Sequence, residues 1–340
     1  MAGALRHKRP ELRNHRYRIV TQKSGNTGGR VDVGVTTNMS EEADHKAGFV
    51  AIVGRPNVGK STLLNHILGS KLSITSRKPQ TTRQRLLGIH STDNLQMIFV
   101  DTPGLSPTSR NKSNALNHYM YLETIRSTLD VDVCVHLIDA DGWSDGDEQV
   151  SNRLLLQLEI PVICALNKID LISPKSRLLP VMQAVSQVYD YKAIIPVSAL
   201  KNQGLDILVG EISKYLPQQP KYFEADQLTD KPLRFLVGEW IREQIIRQLG
   251  EELPYRTTVV VETYKEQNNI TLIDAIIYVE RESQKRIVIG KGGRRIKTIG
   301  SQARRSIEKF IDRQVHLDLR VRTKANWTQA PTELATLGYQ

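Results

Sequence analysis

Long hydrophobic runs are missing from this chain. No apolar stretch approaches the ~20 residues that span a bilayer as a helix; the longest, around Val131–Ile138 and Ile160–Leu166, have the length of buried strands. Cysteine is nearly absent. Cys134 and Cys164 lie inside those apolar runs, which fits small core residues in a reducing cytosol and argues against a disulfide or a metal role. No internal repeat, amphipathic anchor or lipidation motif is visible.

What is present is a chain of 340 residues, 39% hydrophobic and 24% charged, long enough for two domains with separate cores. Its net charge of +11 is uneven: 21 Lys/Arg face 16 Asp/Glu in residues 221–340, and Arg281–Arg313 alone carries 11 against 3. Charge focused in this way points to a polyanionic partner. Residues 1–47 form a basic N-terminal extension, with 9 Lys/Arg against 5 Asp/Glu. It reads as a disordered arm or as a stretch upstream of a start at Met39, and less well as a transit peptide.

From Gly48 to Leu216, strand-like runs (Phe49–Val53, Met97–Val100, Val131–Ile138, Val162–Leu166, Ile194–Val197) alternate with helix-length stretches. Such alternation predicts an α/β domain, a mostly parallel sheet with helices on both faces. Residues 217–232, opening on Pro217-Gln218-Gln219-Pro220, read as a linker. Residues 233–340 read as a small α+β domain. Leu233–Leu249 is helical, strands Thr257–Thr263 and Ile270–Glu280 are joined by the turn Lys265–Asn269, and a Gly-rich basic loop follows. A helix over about Arg294–Asp312 and a strand at Val315–Val321 complete it.

The first strand runs into Gly54-Arg55-Pro56-Asn57-Val58-Gly59-Lys60-Ser61 and then a helical stretch. This is GxxxxGK[ST] in the strand-to-helix setting the motif requires. Backbone N–H groups and the helix N-terminus would hold phosphates, Lys60 would reach the β- and γ-phosphates, and Ser61 would ligate Mg²⁺. Strand Val162–Leu166 ends in Asn167-Lys168-Ile169-Asp170, and Val197-Ser198-Ala199 closes the next strand. Asp170 can accept from guanine N1–H and the exocyclic amine; adenine lacks those donors, so its carboxylate would stay unpaired. Asn167 would brace the loop, Lys168 would lie along the base, and Ser198-Ala199 would sit near the guanine carbonyl. The expected ligands are GTP and GDP, and an ATPase or kinase is disfavoured.

Two segments suit switches. Asp101-Thr102-Pro103-Gly104-Leu105 follows a strand, with Asp101 placed to hold Mg²⁺ through water and the Gly104 N–H to sense the γ-phosphate. Between the two phosphate-facing loops lies Lys78-Pro79-Gln80-Thr81-Thr82-Arg83-Gln84. Thr82 is the better candidate of its threonines to complete the Mg²⁺ shell. Leu105 stands where many GTPases place a water-orienting Gln, so slow intrinsic hydrolysis is expected, aided by backbone groups, a cation or a partner. Asn57 is a candidate K⁺ ligand.

In the second domain, Gly290-Lys291-Gly292-Gly293 leads into Arg294, Arg295 and Lys297. A GxxG loop entering a basic helix can clamp the sugar–phosphate of single-stranded nucleotides, as a KH module does. Aromatic residues are scarce nearby, so phosphate contacts should dominate and affinity should fall steeply with salt.

Together, GRPNVGKS (54–61), KPQTTR (78–83), DTPGL (101–105), NKID (167–170), VSA (197–199), LGEELPY (249–255) and VIGKGG (288–293) resemble the Era family of ribosome-assembly GTPases over Gly48–Tyr339. The resemblance implies a P-loop GTPase domain followed by a type II KH domain that binds the 3′ end of 16S rRNA during processing and 30S subunit biogenesis. It also implies a cytoplasmic monomer, partly attached to the inner face of the membrane, and hydrolysis without the usual Gln. Residues 1–38 have no counterpart in the family pattern. The alternative reading is a non-catalytic, nucleotide-stabilised RNA-binding scaffold.

Overall fold

The computed structural model describes residues 45–339 apart from 77, 79, 80, 105–113, 129 and 251. The expectations placed on the N-terminal arm before residue 45, on Met39, on Gln80 and on Leu105 lie outside the described residues.

The first domain runs β1 (Lys46–Val53), α1 (Lys60–Ile67), β2 (Leu86–Ser91), β3 (Leu95–Asp101), α2 (Ala115–Arg126), β4 (Val133–Asp139), α3 (Asp145–Arg153), β5 (Val162–Asn167), α4 (Leu178–Val188), β6 (Ala193–Pro196) and α5 (Leu205–Lys214). Its sheet has the order β2-β3-β1-β4-β5-β6. All pairs are parallel except β2 with β3. Strands β4 and β5 are buried along their whole length because helices cover both faces, which is why they read as continuous apolar runs. Val50, Ile52, Leu63, Leu64, Leu208 and Ile212 pack on one face, and Ala51, Val53, Cys134, Val150 and Val162 on the other. The strand order reverses at β1, between β3 and β4, so the carboxyl end of β1 opens onto a crevice. Edge strand β2 was not legible as a strand in the sequence; its residues become one by pairing antiparallel with β3.

The second domain runs α6 (Leu233–Gln248), β7 (Thr257–Gln267), β8 (Ile270–Val279), α7 (Glu282–Ile289), α8 (Arg294–Ile311), β9 (Gln314–Thr323) and α9 (Pro331–Thr336). The sheet order is β7-β8-β9, antiparallel then parallel. Two readings of the sequence need correction here. Strand β7 extends to Gln267, so the turn shrinks to Asn268-Asn269 with Asn268 at φ 37°; Asn tolerates that left-handed backbone. The stretch read as loop after β8 contains helix α7, which buries Val288.

Residues 217–232 do not hang free between the domains. Pro217 and Gln219 bond backbone groups of Ala47 and His45, and Leu228 accepts from Ile89 N. The buried Gln96 amide binds the backbone of Tyr222 and Phe223. A segment with so many partners on β1, β2 and β3 acts as a strap.

Helix α6 explains how the domains meet. One side packs on the second domain's core through Val237, Ile241 and Ile245, with Trp240 against Phe310 at 4.8 Å between ring centroids. Yet Arg242, Glu243 and Gln244 are buried too, because the other side faces the loop between α1 and β2. Arg242 bonds Thr81 O and pairs with Glu239; Glu243 accepts from Thr75 N at 3.1 Å and pairs with Lys71. Lys78 Nζ donates to the carbonyls of Ile246 and Leu249. Arg83 goes deepest: the residue is 1% exposed, and its guanidinium donates to Thr257 O at 2.7 Å, Pro254 O at 2.9 Å and Tyr255 O at 3.0 Å. The residues after β9 add a second contact. Trp327, Leu334, Leu337 and Tyr339 pack on Leu116 and Met120 of α2.

Replacing Arg83 by Met (R83M) leaves three carbonyls without their donor. It should destabilise the chain by roughly 3 kcal/mol and split one unfolding transition into two as the domains uncouple. Urea titration followed by separate fluorescence and circular-dichroism probes tests this; coincident, unshifted transitions would overturn it.

Candidate functional site

The crevice at the end of β1 is a cavity of about 860 Å³. Its floor is the β1–α1 loop. Gly59 has φ 110°, and a Cβ there would lie 2.4 Å from the Asn167 side chain, so only glycine lets the loop close against the β5 turn. Lys60 is buried, and its Nζ donates to Gly54 O at 2.9 Å and Arg55 O at 3.0 Å. Burial lowers its pKa to about 8, a shift offset in part by Asp101 and Asp147. A cation held in poor solvent, at the N-terminus of α1, favours an anion in front of it.

Beside it, three elements converge. Ser61 Oγ lies 3.0 Å from Thr82 Oγ1 and 3.1 Å from Asp101 Oδ2, and Thr82 Oγ1 is 3.3 Å from the same carboxylate oxygen. Ser73, which the sequence reading missed, donates to Asp101 at 2.8 Å. Burial raises the Asp101 pKa, and its Oδ1 is buried with no partner among the described residues. An orphaned carboxylate oxygen beside two hydroxyls is a hard, all-oxygen donor set. It fits Mg²⁺ held chiefly through water and phosphate.

At the other end, Asn167 Nδ2 donates to Val58 O at 2.8 Å, and its Oδ1 accepts from Ala199 N at 2.9 Å. One side chain thus ties the phosphate loop to the β6 turn. Ser198 Oγ holds Asp170 Oδ1 at 2.5 Å, which fixes the carboxylate toward the crevice. Lys168, at φ 68°, pairs with Asp139. Leu171 and Leu200, each directly after a guanine-loop motif, line this end although they are 73% and 65% exposed. Two apolar side chains flanking the expected base were a signal in the sequence that went unread.

Pro56, Asn57, Thr81 and Gly104 also line the cavity, Asn57 exposed at φ 65°. Other expected residues turn elsewhere. Arg55 reaches away to Asp139, Asp141 and Asp147, so only its backbone serves the loop. Val58 is a core side chain, Thr102 Oγ1 bonds Ile52 O, and Pro103 O accepts from Thr124. Ile169 and Val197 join by a backbone bond that sets the loop. Gln84 sits outside the cavity, and Arg83 points into the second domain. Thr75, Ser76, Ile246 and Arg247 line the crevice without having been expected to.

The second domain presents a different surface. Gly290, Gly292 and Gly293 all have φ between 58° and 74°, which makes a tight, exposed turn between α7 and α8. Lys291, Arg294, Arg295 and Lys297 are exposed around it, with Arg295 donating back to Ile287 O at 2.7 Å. A groove of about 380 Å³ continues from this loop between α8 and edge strand β9. Ile296, Gly300 and Arg304 line one wall, His316 and Leu319 the other. The groove was not foreseen, although Ile296, Gly300 and Arg304 share one helix face at four-residue spacing.

Phosphate placed before Lys60 would restore its ordinary pKa, so above pH 8 nucleotide binding must take up a proton. Affinity for Mg·GTP should fall as pH rises past about 8, approaching tenfold per pH unit. Calorimetric titration over roughly pH 7–9 tests it, and a flat profile would overturn it.

Comparison with known proteins bears on both surfaces. Residues 49–168 match the family model described as 50S ribosome-binding GTPase, and residues 252–328 match the KH domain. GTPase Era of Azotobacter vinelandii is 47% identical over 89% of this chain and 99% of its own length. GTPase Era of Pseudomonas entomophila is 46% identical over 88% and 99%. Among solved structures, Era in complex with MgGDPNP and nucleotides 1506–1542 of 16S ribosomal RNA matches with TM-score 0.84 and 41% identity, covering 87% of this chain and 99% of that one. A single-residue variant of Aquifex aeolicus Era bound to GDP and AlF4⁻ matches with TM-score 0.83 and 41% identity over 86% and 99%. With a GTPase crevice and a KH domain in one chain and this likeness over nearly its whole described length, the protein belongs to the Era family of GTPases.

Proposed function

We propose that this chain times a step of small-subunit assembly: it binds and hydrolyses GTP while its KH domain holds the 3′ end of 16S rRNA during processing and 30S biogenesis. The observation that carries the reading is the pairing of one guanine-selective crevice with a separate basic loop and groove. Lys60 is suited to the β- and γ-phosphates, and Asp170, set by Ser198, to the guanine edge. Ser61, Thr82 and, through water, Asp101 would hold Mg²⁺, which supplies charge neutralisation on the phosphate oxygens when bound. Gly104 lies beside Lys60, where a Cβ would come 3.0 Å from Lys60 Nζ, and its N–H is suited to sense the γ-phosphate.

Leu105 cannot orient water, so unaided hydrolysis is slow and the switch holds its GTP form until a partner or a cation intervenes. Asn57 is suited to ligating K⁺ beside the phosphates. Single-stranded RNA would lie on Gly290–Gly293 with its phosphates toward Lys291, Arg294, Arg295 and Lys297. The same reading makes the protein a cytoplasmic monomer, a fraction of which rests on the anionic inner face of the membrane through its basic surface.

Three outcomes test this. Asp170→Asn replaces an acceptor by an amide that can donate to xanthine O2; it should weaken GTP binding about a hundredfold or more and admit XTP. Unchanged GTP preference in a competition assay would refute the guanine assignment. Lys291→Gln with Arg294→Gln should weaken binding of a 16S 3′-end oligonucleotide and flatten the log–log salt dependence by about 0.7 per charge removed; an unaltered slope would remove the loop from the interface. Phosphate release should be faster in K⁺ than in Na⁺ and faster with RNA. No release under any of these conditions would favour the non-catalytic scaffold.

A further inference from the structure

The nucleotide crevice has a wall that comes from the other domain. Ile246 and Arg247, both on α6, line the cavity together with Thr75 and Ser76. Arg247 is half exposed, and a single nitrogen makes all of its contacts among the described residues: Nη2 lies 2.9 Å from Glu243 Oε1, 3.4 Å from Thr75 Oγ1 and 3.5 Å from Thr75 O. Only the first is a strong bond; the other two sit at the edge of hydrogen-bonding range. Nη1 and Nε have no partner among the described residues.

Other cations at the crevice are already committed. Lys168 is paired with Asp139, and Lys78 donates to Ile246 O and Leu249 O. Arg247 differs in being half exposed and in having two whole nitrogens, Nη1 and Nε, without a partner among the described residues. Its mount is rigid. Glu243, wholly buried, is held by Lys71 and by Thr75 N and Oγ1. The carboxylate thus anchors the guanidinium at Nη2 and leaves the N–H groups of Nη1 and Nε open. A half-exposed guanidinium with free N–H groups suits phosphate oxygens.

We propose that Arg247 is a nucleotide-binding residue supplied by the KH domain, its free N–H groups engaging the polyphosphate of GTP across the domain boundary. The assignment rests on the crevice being the GTP site. It gives α6 a direct part in nucleotide binding, and α6 packs on α8, the helix that begins at the RNA loop. Linkage being reciprocal, whatever moves α6 on the RNA side changes the hold on the nucleotide.

Calorimetric titration of Mg·GTP into the full chain tests this with three variants. Arg247→Gln should weaken binding about tenfold, the loss of one charge-assisted contact, and Arg247→Lys by less, since charge is kept but the fork is lost. Lys71→Met removes another partner of Glu243 without touching the cavity, and should leave affinity within about twofold. Unchanged affinity in R247Q would overturn the proposal. Equal weakening in R247Q and K71M would overturn it as well, since that is the signature of a loosened junction. Absence of GTP binding by the unsubstituted chain would instead remove the crevice assignment itself.

Discussion

The guanidinium of Arg83 sits where two domains, a switch segment and the chain's C-terminal residues meet. It fills the carbonyl end of the short 3₁₀ turn Leu253–Arg256, and Trp327 stacks 5.8 Å away with Tyr339 beside it. A charge taken this far from water survives only if most of its donors are used, and here Nη1 and Nη2 are used on the backbone leading into β7, while Nε is buried without a partner among the described residues. The consequence is mechanical. The segment carrying Thr81 and Thr82 cannot shift at its far end without disturbing the KH domain, so the position of Thr82 beside Ser61 and Asp101 is partly an interdomain property.

Helix α6 is the counterpart of that constraint. A helix of an isolated domain keeps a polar face for solvent; this one is buried nearly all round, and Arg242, Glu243 and Arg247 reach into the loop that follows α1. Lys71, Thr75, Lys78, Thr81 and Arg83 each reach it or the turn after it. The α1–β2 loop is therefore lashed along its length to the domain that carries the RNA loop. On the opposite side, α2 rests on Trp327, Leu337 and Tyr339. The Thr81–Thr82 segment and helix α2 thus border the second domain, while Asn167, Asp170 and Ser198 belong to the first domain. Asn167 is the link between the two ends of the crevice, since its side chain binds both Val58 O and Ala199 N.

Electrostatics divide the molecule the same way. At the floor of the crevice the charges are buried: Lys60 with a lowered pKa and Asp101 with a raised one. On the KH surface, charges are many and exposed, and among the described residues no pairing holds Lys291, Arg294 or Lys297. The first arrangement gives tight, stoichiometric recognition of one small ligand. The second gives salt-sensitive attraction to a polymer.

Much of this was legible beforehand, for a physical reason. Phosphate binding, the Mg²⁺ corner and guanine selection depend on short segments whose backbone path follows from their own glycines and strand ends, so GRPNVGKS, DTPG and NKID carry their chemistry locally. So does the GxxG turn. What tertiary structure alone decided is everything that depends on partners distant in the chain: that Arg83 leaves the nucleotide for Thr257 and Pro254, that residues 217–232 become a strap on β1 and β3, that β2 is a strand at all, and that Arg247 stands at the wall of a crevice whose floor lies in another domain. No local pattern marks such residues, because a buried cation and an exposed one look alike in sequence until the carbonyls that satisfy them are in place.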